Sequence, residues 1–289
     1  MLASPMATLQ SNRSSGSPAL HYMEGSKNGP PLVLLHGLGR CWEDFAALIP
    51  SLLPHWHLFA LDHAGHGQSE RRPEGYLVRD YVTDTSRFLE DEIPHGAVLH
   101  GHSLGAMVAL AVAAQRPDLV ARVILEDPPF NTMGSRIAET PWQSLFVGFR
   151  EIARRGDGLE RTAAALGQIP VCTAVGMTTL GRIRSSEAIQ FSARCLAMVD
   201  PEIFTPVIAG RWLEGFDEGA LFREVTCPVL LLQGDPQCGA ALTDLDADAA
   251  QTACSRLRRI NFPNTSHLIH HEQPEAVLTA IAEFTSNLL

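Results

Sequence analysis

The sequence predicts an α/β protein: a mostly parallel sheet with helices on both faces and a helical insertion late in the chain. Three observations predict it. From residue 31 onward, short apolar runs alternate with longer stretches whose apolar residues recur at helical spacing. The short runs are almost continuously apolar, as strands covered on both faces are. Between residues 130 and 225 the alternation stops, and that stretch carries helical patterns without a convincing strand.

Taken in order, "PLVLLHG" (31–37) is a strand, "WEDFAALIPSLL" (42–53) a helix and "HLFALDH" (57–63) a second strand. A helix over 76–93 follows, then the strand "GAVLHGH" (96–102), a helix opened by Ser103 and the strand "RVILED" (122–127). In the insertion, "PWQSLFVGFREIARRG", "LERTAAALGQI" and "SSEAIQFSARCLAMV" are helical. "PVLLLQGD" (228–235) and "RLRRINF" (256–262) are the last strands, with a helix near 244–253 between them and a closing helix over 274–289. Crossovers of this length are right-handed, which leaves few topologies. The expected organisation is a core of residues 18–129 and 226–289 with a cap of 130–225. The cap lies over the strands' carboxyl ends, where open α/β sheets bind ligands. Residues 1–17, rich in serine and small residues, are expected to be flexible.

Composition bounds the function. A chain of 289 residues buries about three quarters of its unfolded surface. Twenty-two basic against 32 acidic residues give a net charge of −10, and no basic run occurs. That argues against nucleic acid and anionic membranes as partners. No apolar run is long enough to span a membrane, and the first twenty residues do not read as a signal peptide. The six cysteines, Cys41, Cys172, Cys195, Cys227, Cys238 and Cys254, show no CxxC pair and no metal-ligand spacing. They read as free thiols in a reducing, cytoplasmic compartment, with no metal expected. "HGLGR" lacks the Lys-Ser/Thr of a phosphate loop. "TDLDADAA" lacks the glycine and terminal glutamate of a calcium loop and reads as a solvated helix start.

The chemistry gathers at "GHSLG" (101–105), set between a strand and a helix. A sharp strand-to-helix turn strains its apex residue and admits only tiny neighbours two places away, hence Gly101 and Gly105. It lifts the Ser103 hydroxyl clear of the sheet at a helix N-terminus, where the Leu104 N–H can meet a developing oxyanion.

With "HGLG" (36–39), "DHAGHGQS" (62–69), "GD" (234–235) and "SHLIHHEQPE" (266–275) in the same order, the chain resembles the α/β-hydrolase family from about residue 20 onward. The resemblance implies an eight-stranded sheet with the cap between the sixth and seventh strands, and no cofactor. It implies the Leu38 N–H as a second oxyanion donor, and His36 as a brace for that loop. His63 and His66 would shape the pocket, His102 would point away along the turn, and His270 and His271 would be loop residues. His267, after the last strand, would be the base.

The acid departs from the common pattern. Most relatives place an aspartate three residues after the glycine ending the seventh strand; here that glycine is Gly234 and the position holds Gln237. A minority, including haloalkane dehalogenases and zearalenone lactonases, take the acid from the end of the sixth strand. Asp127 stands at that register, 24 residues after Ser103, with Glu126 beside it. Adjacent strand residues face opposite ways, so only one of the two can serve. Asp127 is favoured, with Glu126, Asp235 and Asp244 as alternatives.

The reading is a serine hydrolase cleaving a carboxylic ester or lactone, the acid's placement pointing to a lactone. A dehalogenase would need a carboxylate nucleophile. A cofactor-free oxygenase or haloperoxidase-like activity, and C–C bond hydrolysis, stay open on the same triad, as does a non-catalytic small-ligand receptor. Aromatic residues of the cap, Trp142, Phe146, Phe149 and Trp212, suit a small apolar or aromatic substrate. A homodimer is left open.

Overall fold

The computed structural model describes residues 9–173, 176–286 and 288. In chain order the strands are β1 (Gln10–Arg13), β2 (His21–Glu24), β3 (Pro31–Leu35), β4 (His57–Leu61), β5 (Ala97–His102) and β6 (Val120–Glu126). Then come β7 (Pro170–Thr173), β8 (Gly176–Thr179), β9 (Val229–Gln233) and β10 (Leu257–Asn261). Eight of them make one sheet in the order β1-β2-β4-β3-β5-β6-β9-β10. It is parallel from β4 to β10, with β2 and β1 added antiparallel at one edge. This is the α/β-hydrolase fold.

Side-chain alternation splits the core into two layers. Leu32, Leu34, Val98, Ile124, Leu230 and Leu232 point to one face of the sheet. There they meet α1 (Ile49–Leu52) and α12 (Pro274–Thr285), whose Val277 and Ile281 are fully or nearly fully buried. Val33, Leu35, Leu99, Val123, Leu125 and Leu231 point to the other face. That face is covered by α2 (Val78–Glu92) and α3 (Leu104–Gln115). Every residue of α3 from Leu104 to Ala113 is buried, so this helix has no polar face and sits between the sheet and its neighbours.

Between β6 and β9 the chain forms α4 (Trp142–Arg155), α5 (Leu159–Gly167), α6 (Leu180–Ile183), α7 (Ser186–Met198), α8 (Thr205–Ile208) and α9 (Glu218–Glu224). The three helices read from the insertion's sequence are α4, α5 and α7. Helix α10 (Asp244–Ala253) joins β9 to β10, and α11 (Ile269–Glu272) precedes α12.

Four expectations need correction. Within the stretch expected to be flexible, Gln10–Arg13 pairs with β2. Polar contacts hold it there, Asn12 Nδ2 donating to Glu24 Oε2 at 3.0 Å and Ser11 Oγ meeting His21 Nε2 at 3.0 Å. Residues 1–8 lie outside the described residues. The helix expected over 42–53 is two pieces, a 3₁₀ turn at Trp42–Phe45 and α1, because Pro50 lacks the N–H needed to continue a helix and starts a new one. The insertion is not free of strands. Its β7 and β8 pair antiparallel as a two-stranded hairpin, carrying β-branched Val171, Thr178 and Thr179. The closing helix ends at Thr285. Among the described cysteines, Cys41, Cys195, Cys227, Cys238 and Cys254 are free thiols, and the Cys172 side chain lies outside the described residues. No helix among the described residues is long and apolar enough to cross a membrane.

Candidate active site

Ser103 sits between β5 and α3 with φ 54° and ψ −112°, a strained region for a residue with a Cβ. Its backbone N–H donates to Glu126 O at 2.9 Å, tying the turn to β6. The two flanking glycines are forced. A Cβ on Gly101 would lie 2.1 Å from Gly105 O, and one on Gly105 would lie 1.9 Å from Leu35 O. Both obstructions are backbone, so no side-chain rotation relieves them.

The two carboxylates at the end of β6 diverge as strand geometry requires. Asp127, fully buried with φ 44°, accepts from His267 Nδ1 at 2.6 Å. It also accepts backbone N–H bonds from Ala241 at 2.7 Å, Gly234 at 3.3 Å and Leu242 at 3.4 Å. With Nδ1–H donated to Asp127, the His267 lone pair stands on Nε2. Ser103 and His267 line the same cavity. Glu126 turns the other way, accepting from His100 Nε2 at 3.0 Å, from the His270 backbone at 2.9 Å and from His270 Nδ1 at 2.7 Å. Asp235 caps a turn, accepting from Gln237 N at 2.9 Å and Asn264 N at 3.2 Å. Asp244, exposed at the start of α10, meets Gln233 and Arg259. Neither Asp235 nor Asp244 meets His267.

The loop carrying Leu38 is braced by histidines that must stay neutral to accept. His36 donates Nδ1–H to Gly37 O at 2.8 Å and accepts from His63 N at 3.1 Å. His66 Nε2 accepts from Gly39 N at 3.1 Å while its Nδ1–H reaches Ala64 O at 3.0 Å. Burial holds all three rings uncharged, His36 well below the usual range, His63 at about 3 and His66 at about 4. The Leu38 and Leu104 N–H groups have no backbone acceptor among the described residues, and Leu104 opens α3, where helix donors are left over.

Beneath the turn lies a buried charge cluster that sequence reasoning missed. His270 and His271 are not loop residues; they belong to α11, and the His270 side chain is fully buried. Despite that burial, Glu126 and Asp44 push His270 up to about 10, so it is an imidazolium between two carboxylates. Asp44 Oδ1 accepts from His271 Nε2 at 2.8 Å and pairs with Arg40 Nε at 3.1 Å. His102, pushed down to about 4 by burial, donates Nε2–H to the His267 carbonyl at 2.9 Å. Asp44, His102 and His270 bring potential ligand atoms within 4.8 Å of one another. Sequence spacing could not reveal three residues on separate elements. The facing atoms Asp44 Oδ2, His102 Nδ1 and His270 Nε2 have no hydrogen-bond partner among the described residues, and with His270 pushed up by Glu126 and Asp44 the trio reads as a charge cluster under the nucleophile. The clue available in sequence was the density of histidine around the motif and in "SHLIHHE".

Above Ser103 lies an open-mouthed cavity of about 110 Å³, lined mainly by apolar side chains. Trp142 and Phe146 of α4 line it, and the Trp142 ring stands edge-on to His267 with centroids 5.2 Å apart. Phe149 also lines it. Trp212 does not. It is fully buried in the core, with its carbonyl accepting from Val78 N at 3.1 Å at the start of α2.

The chain is similar to 2-(acetamidomethylene)succinate hydrolase of Mesorhizobium japonicum, 27% identical with 89% of this chain and 88% of that protein covered. It is also similar to (E)-2-((N-methylformamido)methylene)succinate hydrolase of Acinetobacter baylyi, 26% identical over 92% of this chain and 94% of that protein. The crystal structure of the enol-lactonase from Burkholderia xenovorans shares the fold, with a TM-score of 0.73 at 21% identity over 95% of this chain and 100% of that one. Residues 32–280 match the alpha/beta hydrolase family as a whole. From this match, the sheet order and the strand–turn–helix around Ser103, the chain belongs to the alpha/beta hydrolase family.

Proposed function

We propose that the chain is a serine hydrolase cleaving a carboxylic ester or lactone through an acyl-enzyme, using no metal or organic cofactor. The observation that carries this reading is the 2.6 Å bond between Asp127 and His267 at the cavity that Ser103 lines. His267 Nε2 takes the Ser103 proton as Oγ attacks the carbonyl. Asp127 fixes the tautomer and stabilises the imidazolium. The Leu38 and Leu104 N–H groups receive the oxyanion. His267 then protonates the leaving group, and activates the water that releases the acid and restores Ser103. Residues 130–225 act as a cap whose Trp142, Phe146 and Phe149 favour an apolar or aromatic body on the substrate.

A second reading, hydrolysis of another acyl bond by the same residues, is favoured by two relatives named as hydrolases of substituted methylenesuccinates. One experiment separates these readings from a receptor. Purified protein is treated with a fluorophosphonate and assayed on a panel of p-nitrophenyl esters, lactones and amides. Labelled Ser103 with ester or lactone turnover supports the first reading, and turnover of amides alone supports the second. Ligand binding without labelling or turnover would leave a receptor.

A further inference from the structure

The cavity wall runs against the charge of the chain. The protein has 32 acidic and 22 basic residues, yet among the described residues the wall holds two arginines and no aspartate or glutamate. The arginines differ in state. Arg40, in the loop after β3, has its counter-charge within the protein. Its Nε pairs with Asp44 at 3.1 Å, its Nη1 donates to Ser192 Oγ at 3.1 Å, and its guanidinium lies 5.0 Å from the Phe191 ring centroid. Arg184, just past α6, is half-buried, and its guanidinium has no hydrogen bond or ion pair with any described residue. Burial, with the charge of Arg40 nearby, lowers its pKa, and the Glu272 carboxylate offsets this only in part.

A guanidinium withdrawn from water without a counter-charge is costly and is ordinarily paired. Around it the wall is apolar, with Leu180, Ile189 and Leu196, and no carboxylate lines it; Glu272 acts on Arg184 without an ion pair or a hydrogen bond. A ligand can supply the paired anion. The planar fork of N–H donors fits a carboxylate with two parallel bonds. One free positive charge matches one carboxylate; a doubly charged phosphate would leave an anion unpaired in an apolar wall. We propose that Arg184 anchors a carboxylate carried by the substrate, at a separate point on the cavity wall from Ser103, where the reacting carbonyl lies. The substrate class is thus an acyl compound with a second, free carboxylate. This rests on the serine-hydrolase reading and narrows it.

The test compares a free acid with its capped form, each rate corrected for spontaneous hydrolysis. Mono-p-nitrophenyl succinate and glutarate are assayed against the same compounds with the free acid capped as a methyl ester. Wild-type kcat/KM should favour the charged member by about tenfold to a hundredfold, the range of a charge-assisted bond. Arg184→Gln should abolish the preference by lowering the charged rate alone, and leave the capped ester within about twofold. Arg184→Lys, keeping the charge without the fork, should retain part of it. A second readout needs no turnover: glutarate should slow fluorophosphonate labelling of Ser103 in wild type and not in Arg184→Gln. Equal handling of both members by wild type, or equal losses in Arg184→Gln, would overturn the anchor while a labelled Ser103 keeps the hydrolase reading. An unlabelled Ser103 with no turnover would overturn the hydrolase reading, and the anchor with it.

Discussion

At the scale of single residues, Asp127 and Glu126 leave β6 one position apart and meet different histidines. Asp127→Asn keeps the shape but removes the acceptor that holds Nδ1–H on His267. Turnover should fall about 10⁴-fold with an unchanged circular dichroism spectrum. Ser103→Ala should cost about 10⁶-fold. Glu126→Gln should behave in the opposite way. It leaves the His267 contact in place but takes the charge from a fully buried partner of the His270 imidazolium. Stability should drop by about 3–5 kcal/mol in denaturant titration while turnover by the folded fraction falls far less. A severe, fold-neutral loss in Asp235→Asn with a mild one in Asp127→Asn would return the acid to β9. Asp127 was named from a register that the resemblance supplied, 24 residues after Ser103, and its side chain does meet His267. The partners of Glu126 were not legible in the sequence, because they come from β5 and α11, which no local pattern connects.

At the scale of elements, the turn between β5 and α3 depends on backbone-to-backbone approach, so its tolerance for side chains is sharply position-dependent. Gly105→Ala would drive a Cβ to 1.9 Å from a strand carbonyl. The expected loss exceeds about 4 kcal/mol, seen as a lost or strongly lowered thermal transition. Gly158→Ala, where nothing lies within 4 Å and φ is −63°, should change stability by less than about 1 kcal/mol. A normal melting temperature for Gly105→Ala would mean that β3 and α3 are not packed as described. The buried strands and the long helices were readable because their apolar residues are both the cause of burial and the signal of it. Three features carried no such signal. Strand β1 is held by polar pairs, and the β7–β8 hairpin is short and half-exposed within helical sequence. Trp212 is aromatic and lies in the insertion between β6 and β9, but composition does not say which way a ring points, and it turned into the core.

At the scale of the molecule, the cluster beneath Ser103 ties β5, β6, α11 and the 3₁₀ turn at Trp42–Phe45 into one electrostatic unit. His270 faces Glu126 and Asp44, with the rings of His102 at 5.0 Å and His271 at 4.4 Å, while Arg40 offsets Asp44 from its other side. The two carboxylates and the imidazolium set opposite limits on stability. Despite burial, which opposes the charge, Glu126 is held well below its usual range by His270 and His100, and Asp44 by Arg40 and the histidines. Their contribution is present above the unfolded carboxylate range and is lost as pH falls through their depressed folded values. His270 binds its proton more tightly folded than unfolded. Its contribution is therefore complete below about pH 6.5 and lost as pH rises through about 10. Buried Tyr81, pushed well above its usual value by its burial, also weakens the fold once the unfolded chain ionises near pH 10. The histidine must therefore be isolated by a variant. Melting temperature in wild type should decline between about pH 7 and pH 10, before tyrosine ionises in the unfolded chain. His270→Asn should start lower at pH 7 and decline less steeply across that interval, converging on wild type near its upper end; the decline left in the variant is that of buried thiols such as Cys41 and Cys227, pushed up by their surroundings, once cysteine ionises in the unfolded chain near about pH 8.5. A wild-type curve flat from pH 7 to 10, or a variant that runs parallel to it, would show that His270 is not charged in the folded protein.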